Sequence, residues 1–184
     1  MRSGDPIPGA ATQGPRAMSV SETILDDGEI HPIDVVETIA THYDWDFDRV
    51  AENQIAMTLE GQWRSYALTL AWSPSDETLR LLCTYECDVP EERLPALHDL
   101  LNRMNDLCWA GAFTWWGEEK LMVFRYGLVL AGEQVASPEQ IDTMIHAALM
   151  SAERFYPAVQ LVLHGGRSPK HAMEVAIAEA YGRA

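Results

Sequence analysis

The stretch Val89–Cys108, VPEERLPALHDLLNRMNDLC, decides how the rest of the chain is read. Leu94, Leu97, Leu101, Met104 and Cys108 follow one another at steps of three and four, and Leu100 and Leu107 widen the stripe. Glu91, Glu92, Arg93, Asp99, Asn102, Arg103, Asn105 and Asp106 fill the other positions. This is the period of an amphipathic helix. Pro90 suits a first helical position, but Pro95 falls in the second turn and removes a hydrogen bond. The helix therefore either kinks there or becomes regular only near Pro95. Its stripe has to cover a sheet, meet a partner, or do both.

Upstream, Pro32 suits the first turn of a helix in which Ile33, Val36, Ile39 and Ala40 recur at helical spacing, with Asp44-Trp45-Asp46 ending it. Three strands follow. Ile55, Met57 and Leu59 alternate with polar or small neighbours; so do Tyr66, Leu68, Leu70 and Trp72; so do Leu79, Leu81, Cys83 and Tyr85. Short turns at Gly61-Gln62 and Ser73–Asp76 make them an antiparallel meander with one wetter face. Downstream, Ala112–Trp116 and Leu121–Leu130 flank Gly117-Glu118-Glu119 as a hairpin. Ser137-Pro138-Glu139-Gln140 is a capping box that starts another helix, which Pro157 is expected to break or kink. Val159–Leu163 reads as a further helical piece stopped by Gly165-Gly166, and Ser168-Pro169 starts a last helix. The predicted fold class is α+β: helix, three-stranded antiparallel meander, helix, two-stranded hairpin, C-terminal helices. Residues 21–184 are expected to form a single domain, with organisation beginning at Ile24-Leu25. Residues 1–20, rich in Gly and Pro, read as a disordered tail in which Met18 is an alternative start.

Composition narrows the function. Of 184 residues, 47% are hydrophobic and 22% charged, and the formal net charge is −15. Between Ser21 and Tyr156 there are 25 acidic and 8 basic side chains, a balance of −17, whereas both ends are slightly basic. Such a field repels a phosphate backbone and an anionic membrane surface, so neither nucleic acid nor membrane is an expected partner. No run approaches the roughly 18–20 apolar residues of a membrane span. Three cysteines without framework spacing and no secretory signal point to the cytoplasm.

Nothing in the chain assembles into a reaction centre. Cys83 and Cys87 lie four apart on a strand, about 13 Å from one another, too far for one zinc. They read as structural thiols, and no metal or other cofactor is expected. Glu91-Glu92 and Glu118-Glu119 do not face each other as acid/base pairs. His164, Arg167, Ser168 and Lys170 surround a Gly-Gly stop and a helix start, where backbone N–H groups attract anions. The plainer reading of those four is a Gly cap followed by a Ser-Pro start. Trp115 and Trp116 point to opposite faces of the sheet. Layer packing predicts that the C-terminal helices cover the second face; the other reading is a partly exposed apolar patch for a peptide or a second subunit.

The segments Ala110–Leu130, AGAFTWWGEEKLMVFRYGLVL, and His164–Gly182, HGGRSPKHAMEVAIAEAYG, give the chain its likeness to a known family. From about Glu29 to Ala184 it resembles the YbjN family, bacterial proteins described as sensory transduction regulators, whose fold is similar to that of class I type III secretion chaperones. The resemblance implies no catalytic residues. It implies that the Val89–Cys108 helix lies at a homodimer interface and that the sheet helps to bind an extended protein client. It also leaves a C-terminal helical extension beyond the minimal chaperone fold. With the apolar stripe and the two-faced hairpin, it makes Leu94, Leu97, Leu101, Met104 and Trp116 the candidate dimer or partner interface. The expected function is a non-enzymatic, chaperone- or adaptor-like protein-binding module with a regulatory role. The alternative is a regulator sensing a small ligand or anion at His164, Arg167, Ser168 and Lys170.

Overall fold

Residues 30–132 and 134–181 are described by the structure, a computed structural model. The expected tail, Met18 and Ile24-Leu25 lie outside them. Helix α1, Pro32–His42, starts at Pro32 as its sequence predicts. Its cap is His31, which the scattered histidines gave no reason to single out. The His31 Nδ1 accepts the Ile33 N–H at 3.2 Å, while Nε2 is 2.8 Å from the Asn53 Oδ1. An imidazole that accepts at Nδ1 is neutral, so it donates through Nε2 to the Asn53 oxygen.

The three expected strands form: β2, Gln54–Glu60; β3, Ser65–Ser73; and β4, Thr78–Glu86. A further strand, β1, Phe47–Ala51, precedes them, so the meander has four. Phe47, Asp48, Arg49, Val50 and Ala51 do not alternate as a half-buried strand does, because β1 is an edge strand with little buried surface. It is held instead by Arg49, whose Nη1 lies 2.6 Å from Asp34 and 2.9 Å from Glu37 of α1. The hairpin strands are β5, Ala112–Trp116, and β6, Leu121–Val129. All pairings are antiparallel, in the order β1-β2-β3-β4-β6-β5, so β6 returns beside β4 and leaves β5 at the far edge.

The Pro95 ambiguity resolves in favour of a late start. A single 3₁₀ turn, Glu91–Arg93, leads into α2, Leu94–Asp106, with Pro95 in its first turn, where the missing N–H has no partner to lose. Pro157 gives the opposite correction. Helix α3, Pro138–Leu163, starts at the expected Ser137–Gln140 capping box and continues unbroken through Pro157. Phe155, Ala158, Val159, Val162 and Leu163 are buried on both sides of the proline. That burial outweighs an interior proline's cost of about 3 kcal/mol. Helix α4, Pro169–Tyr181, packs on α3 and α2.

Burial then defines the layers. Ile55, Met57, Leu59, Tyr66, Leu68, Leu70, Leu79, Leu81, Cys83, Tyr85, Phe113, Met122 and Phe124 are buried on one sheet face. Helix α3 lies directly on it, with Phe155 edge-on to Phe113 at 5.8 Å and Tyr156 against Tyr85 at 5.6 Å. Helix α1 packs against α3, β2 and β3 on this same side. The C-terminal helices therefore join the covered side rather than the second face, a correction to the layer-packing expectation. Their apolar stripes serve equally well on either face, and α3 and α2 supply the partner for α4.

The core position of α2 yields a test. Leu97, Leu100 and Met104 have no exposed surface. Leu97→Ala should cost about 2–5 kcal/mol in urea unfolding. Leu97→Glu should remove the cooperative transition; a folded monomer would contradict this placement.

Candidate functional site

The α2 stripe divides between core and surface. Leu97 and Met104, expected at an interface, are fully buried inside the chain, and Leu101 is only 9% exposed. Leu97 and Met104 spend their apolar surface against α3, α4 and β5, which leaves none for a partner, while Leu101 keeps a small part exposed. Leu94 is half-buried. Exposure rises beyond the helix end, where Leu107 is 39% and Trp109 99% exposed. The stripe was too wide for sequence alone to separate its two sides. Asn105, on the polar side, ties α2 to the sheet edge: its Oδ1 accepts the Phe113 N–H at 2.6 Å and its Nδ2 donates to the Phe113 carbonyl at 3.0 Å.

Strand register lays out the second sheet face, which no described helix covers. Cross-strand rows of outward-facing side chains define it. One runs Asp48, Ala56, Thr69, Leu82, Arg125, Ala112; the next runs Thr58, Ala67, Thr84, Val123, Thr114; beyond it Glu60 pairs with Ser65, and Glu86, Leu121 and Trp116 pair in turn; on the other side Gln54, Ala71, Arg80 and Gly127 form a further row, and Ser73, Thr78 and Val129 another. The β1–β2–β3 side is floored by alanine and threonine. The β4–β6–β5 side carries Leu82, Leu121, Val123 and Trp116. Val123, whose cross-strand neighbours are Thr84 and Thr114, is fully buried, while Trp116, Leu82 and Leu121 are half-buried. Trp116 thus sits on the uncovered face, and its neighbour Trp115 turns to the covered side and donates through Nε1 to the Cys87 carbonyl at 3.1 Å. The alternation of the two tryptophans showed this division in the sequence; that no described helix lies on the second face was not legible there.

The His164–Lys170 segment satisfies its own backbone. The His164 and Gly165 N–H groups donate to the Gln160 carbonyl, and the Arg167 N–H donates to that of Leu161 at 3.0 Å, with Gly166 at φ 62°. The Ser168 hydroxyl accepts from the His171 N–H at 3.4 Å and caps α4. A Cβ at Gly165 would press on the Leu161 carbonyl, which accounts for the glycine. His164, Arg167, Ser168 and Lys170 are all exposed, with their side chains at the surface rather than around a cavity.

The family of bacterial proteins described as "putative bacterial sensory transduction regulator", YbjN, matches residues 32–161 of this chain. The chain belongs to the YbjN family. The matched span runs from α1 through most of α3, so α4 lies beyond it. The YbjN chain is similar in structure to the crystal structure of YbjN, a putative transcription regulator from E. coli, with a TM-score of 0.50 and 11% identity over 73% of this chain and 90% of that one. It is also similar to the HopA1–SchA chaperone–effector complex, with a TM-score of 0.46 and 17% identity over 71% of this chain and 95% of that one. No curated protein matches it.

No helix among the described residues is long and apolar enough to cross a membrane. The three cysteines of this YbjN chain are free. Burial pushes the Cys83 thiol from its ordinary value of 9.0 up to about 12. It pushes Cys87 up to about 11, with Arg64 opposing and Asp88 adding to the shift. Cys108 is raised by burial too, against the pull of Arg154. A thiol with a raised folded-state pKa contributes its stability below the unfolded value and loses it as pH climbs towards the folded one. Alkylation at pH 8 should therefore be much slower in native than in urea-unfolded protein. The urea midpoint should fall between pH 9 and 11, and fall less in Cys83→Ala/Cys87→Ala; equal slopes would contradict the assignment.

Proposed function

We propose that this YbjN chain is a non-enzymatic protein-binding module, chaperone- or adaptor-like, that holds a polypeptide partner on the uncovered face of its sheet. The observation that carries the reading is the one-sided architecture. The described helices all pack on one face of the six strands, and the other presents Leu82, Leu121 and Trp116 beside a floor of small side chains. Apolar surface flanked by polar residues is the usual anatomy of a binding patch, and a half-buried tryptophan is a common anchor. Regulation, in this reading, is the consequence of holding or releasing the partner, and the cytoplasm is where it takes place.

The same reading includes a homodimer. Of the residues first considered for it, Leu94 and Leu101 retain some exposed surface, and Leu107 and Trp109 at the end of α2 extend it. Burying an exposed tryptophan side chain is worth a few kcal/mol, on the order of the hot spots that dominate such contacts.

Two measurements test these parts separately. Affinity capture with the wild-type chain should recover a protein that Leu82→Glu or Trp116→Ala loses and Met150→Glu, on exposed helix α3 surface, retains. Recovery by all three variants alike would overturn the face as the binding surface. Sedimentation should show a dimer at micromolar concentration that Trp109→Ser shifts to monomer; a wild-type monomer would overturn the dimer.

A further inference from the structure

The uncovered face is electrostatically lopsided, and this bears on what lies on it. On the β1–β2–β3 side, Ala56, Thr58, Ala67 and Thr69 leave a shallow depression of about 290 Å³, edged by Asp46, Phe47 and Asp48. Asp46 and Asp48 are exposed, and the carboxylate of neither takes part in an ion pair or hydrogen bond among the described residues. Asp34 and Glu37, by contrast, hold Arg49, and Asp76 holds Arg80. The basic residues of this face, Arg80 and Arg125, stand on β4 and β6, away from the depression.

Resting on the reading of this face as the binding surface, we propose that the depression docks an extended, basic polypeptide segment. A lysine or arginine stem lies over the alanine and threonine floor, with its cationic head against Asp46 and Asp48. Three considerations select that occupant. An apolar segment would cover two carboxylates without a counter-charge, which costs desolvation energy with no return. A polyanion meets the −17 field of Ser21–Tyr156. A second copy brings that same field, and the most exposed large apolar side chain among the described residues, Trp109, stands at the end of α2, which packs by β5 at the opposite edge of the sheet. A basic segment gains on each count: the field draws it in, its aliphatic stems suit small-residue floors, and its heads neutralise the two aspartates.

The probe is a short labelled peptide alternating lysine and valine, with a glutamate–valine peptide as control, read by fluorescence anisotropy on the full chain. The lysine probe should bind, weaken with added salt, and lose about fivefold in affinity in Asp46→Asn/Asp48→Asn. Glu91→Gln/Glu92→Gln makes the same change in net charge at the far end of the molecule and should change affinity by less than about twofold. Equal losses in the two double variants would mean that net charge alone is read and would overturn the docking site, as would no binding or a preference for the glutamate probe. Sedimentation that responds to the Asp46/Asp48 variant while the probe does not would assign the depression to a second copy and overturn the proposal. If Leu82→Glu abolishes partner capture while the lysine probe is indifferent to Asp46 and Asp48, the face keeps its role and the basic segment falls. If neither assay responds to its variants, both fall together.

Discussion

Helix α3 laid across one face of the sheet is the contact on which the other features depend. Within one turn, Phe155 meets Phe113 of β5, Tyr156 meets Tyr85 of β4, and Glu153 accepts the N–H groups of Gln62 and Trp63 in the β2–β3 turn at 2.9 and 3.2 Å. Gly61 makes the last of these feasible, because a Cβ there would run into the Glu153 carboxylate and the Tyr66 ring. Arg64 completes the junction, its guanidinium over the Tyr85 and Tyr156 rings at 5.1 and 5.9 Å. One helix thus spans strands far apart in sequence, and α1, α2 and α4 all find their packing partner in it. Since every described helix is recruited to that side, none of them covers the other.

The treatment of the sheet edges makes this asymmetry informative. An exposed edge invites another strand. At β5 the Asn105 carboxamide takes both the N–H and the carbonyl of Phe113, a side chain in the place of a seventh strand. At β1 the register slips between Asp48 and Ala51, so three steps on β1 match two on β2, the geometry of a bulge. Arg49 is drawn back to α1 beside it. Both edges are thereby blunted while the broad face is not. Strand addition is the route this architecture discourages, and side-chain contact on the face is the one it leaves available.

How much of this the sequence revealed follows from what each element buries. Strands β2, β3, β4, β5 and β6 are half-buried, so their period-two alternation was plain. Strand β1 buries little and is held by ion pairs from α1, and ion pairs leave no periodic trace. The proline rule failed at Pro157 because it weighs one lost hydrogen bond and one clash, while Phe155, Ala158 and Val159 anchor the helix on both sides. Residues Leu97, Leu101 and Met104 were legible as an apolar stripe but not as core, since periodicity identifies a buried face without saying what buries it. For the same reason the amphipathic C-terminal helices did not reveal which sheet face they cover. Alternation alone put Trp115 and Trp116 on opposite faces but did not say which of the two faces the helices take. Asp46 and Asp48 carried no signal, because two aspartates after a helix read as a solvated end until the meander folds one beside its small-residue floor.

The composition of the uncovered face also bears on solubility. A face of isoleucine and valine left open on a six-stranded sheet would be an aggregation site. Here alanine and threonine occupy the β2 and β3 columns, Val123 beside Thr84 and Thr114 is buried, and the larger apolar groups are confined to one side. A surrounding balance of −17 adds repulsion between copies. The same features set the terms for a partner. A floor of short side chains offers little apolar area, so area alone gives weak binding, and the partner has to supply bulk and charge that the face lacks. In the proposed complex selectivity would come from that mismatch: long, cationic side chains would fill the floor and meet the acid, whereas another copy of this surface would do neither.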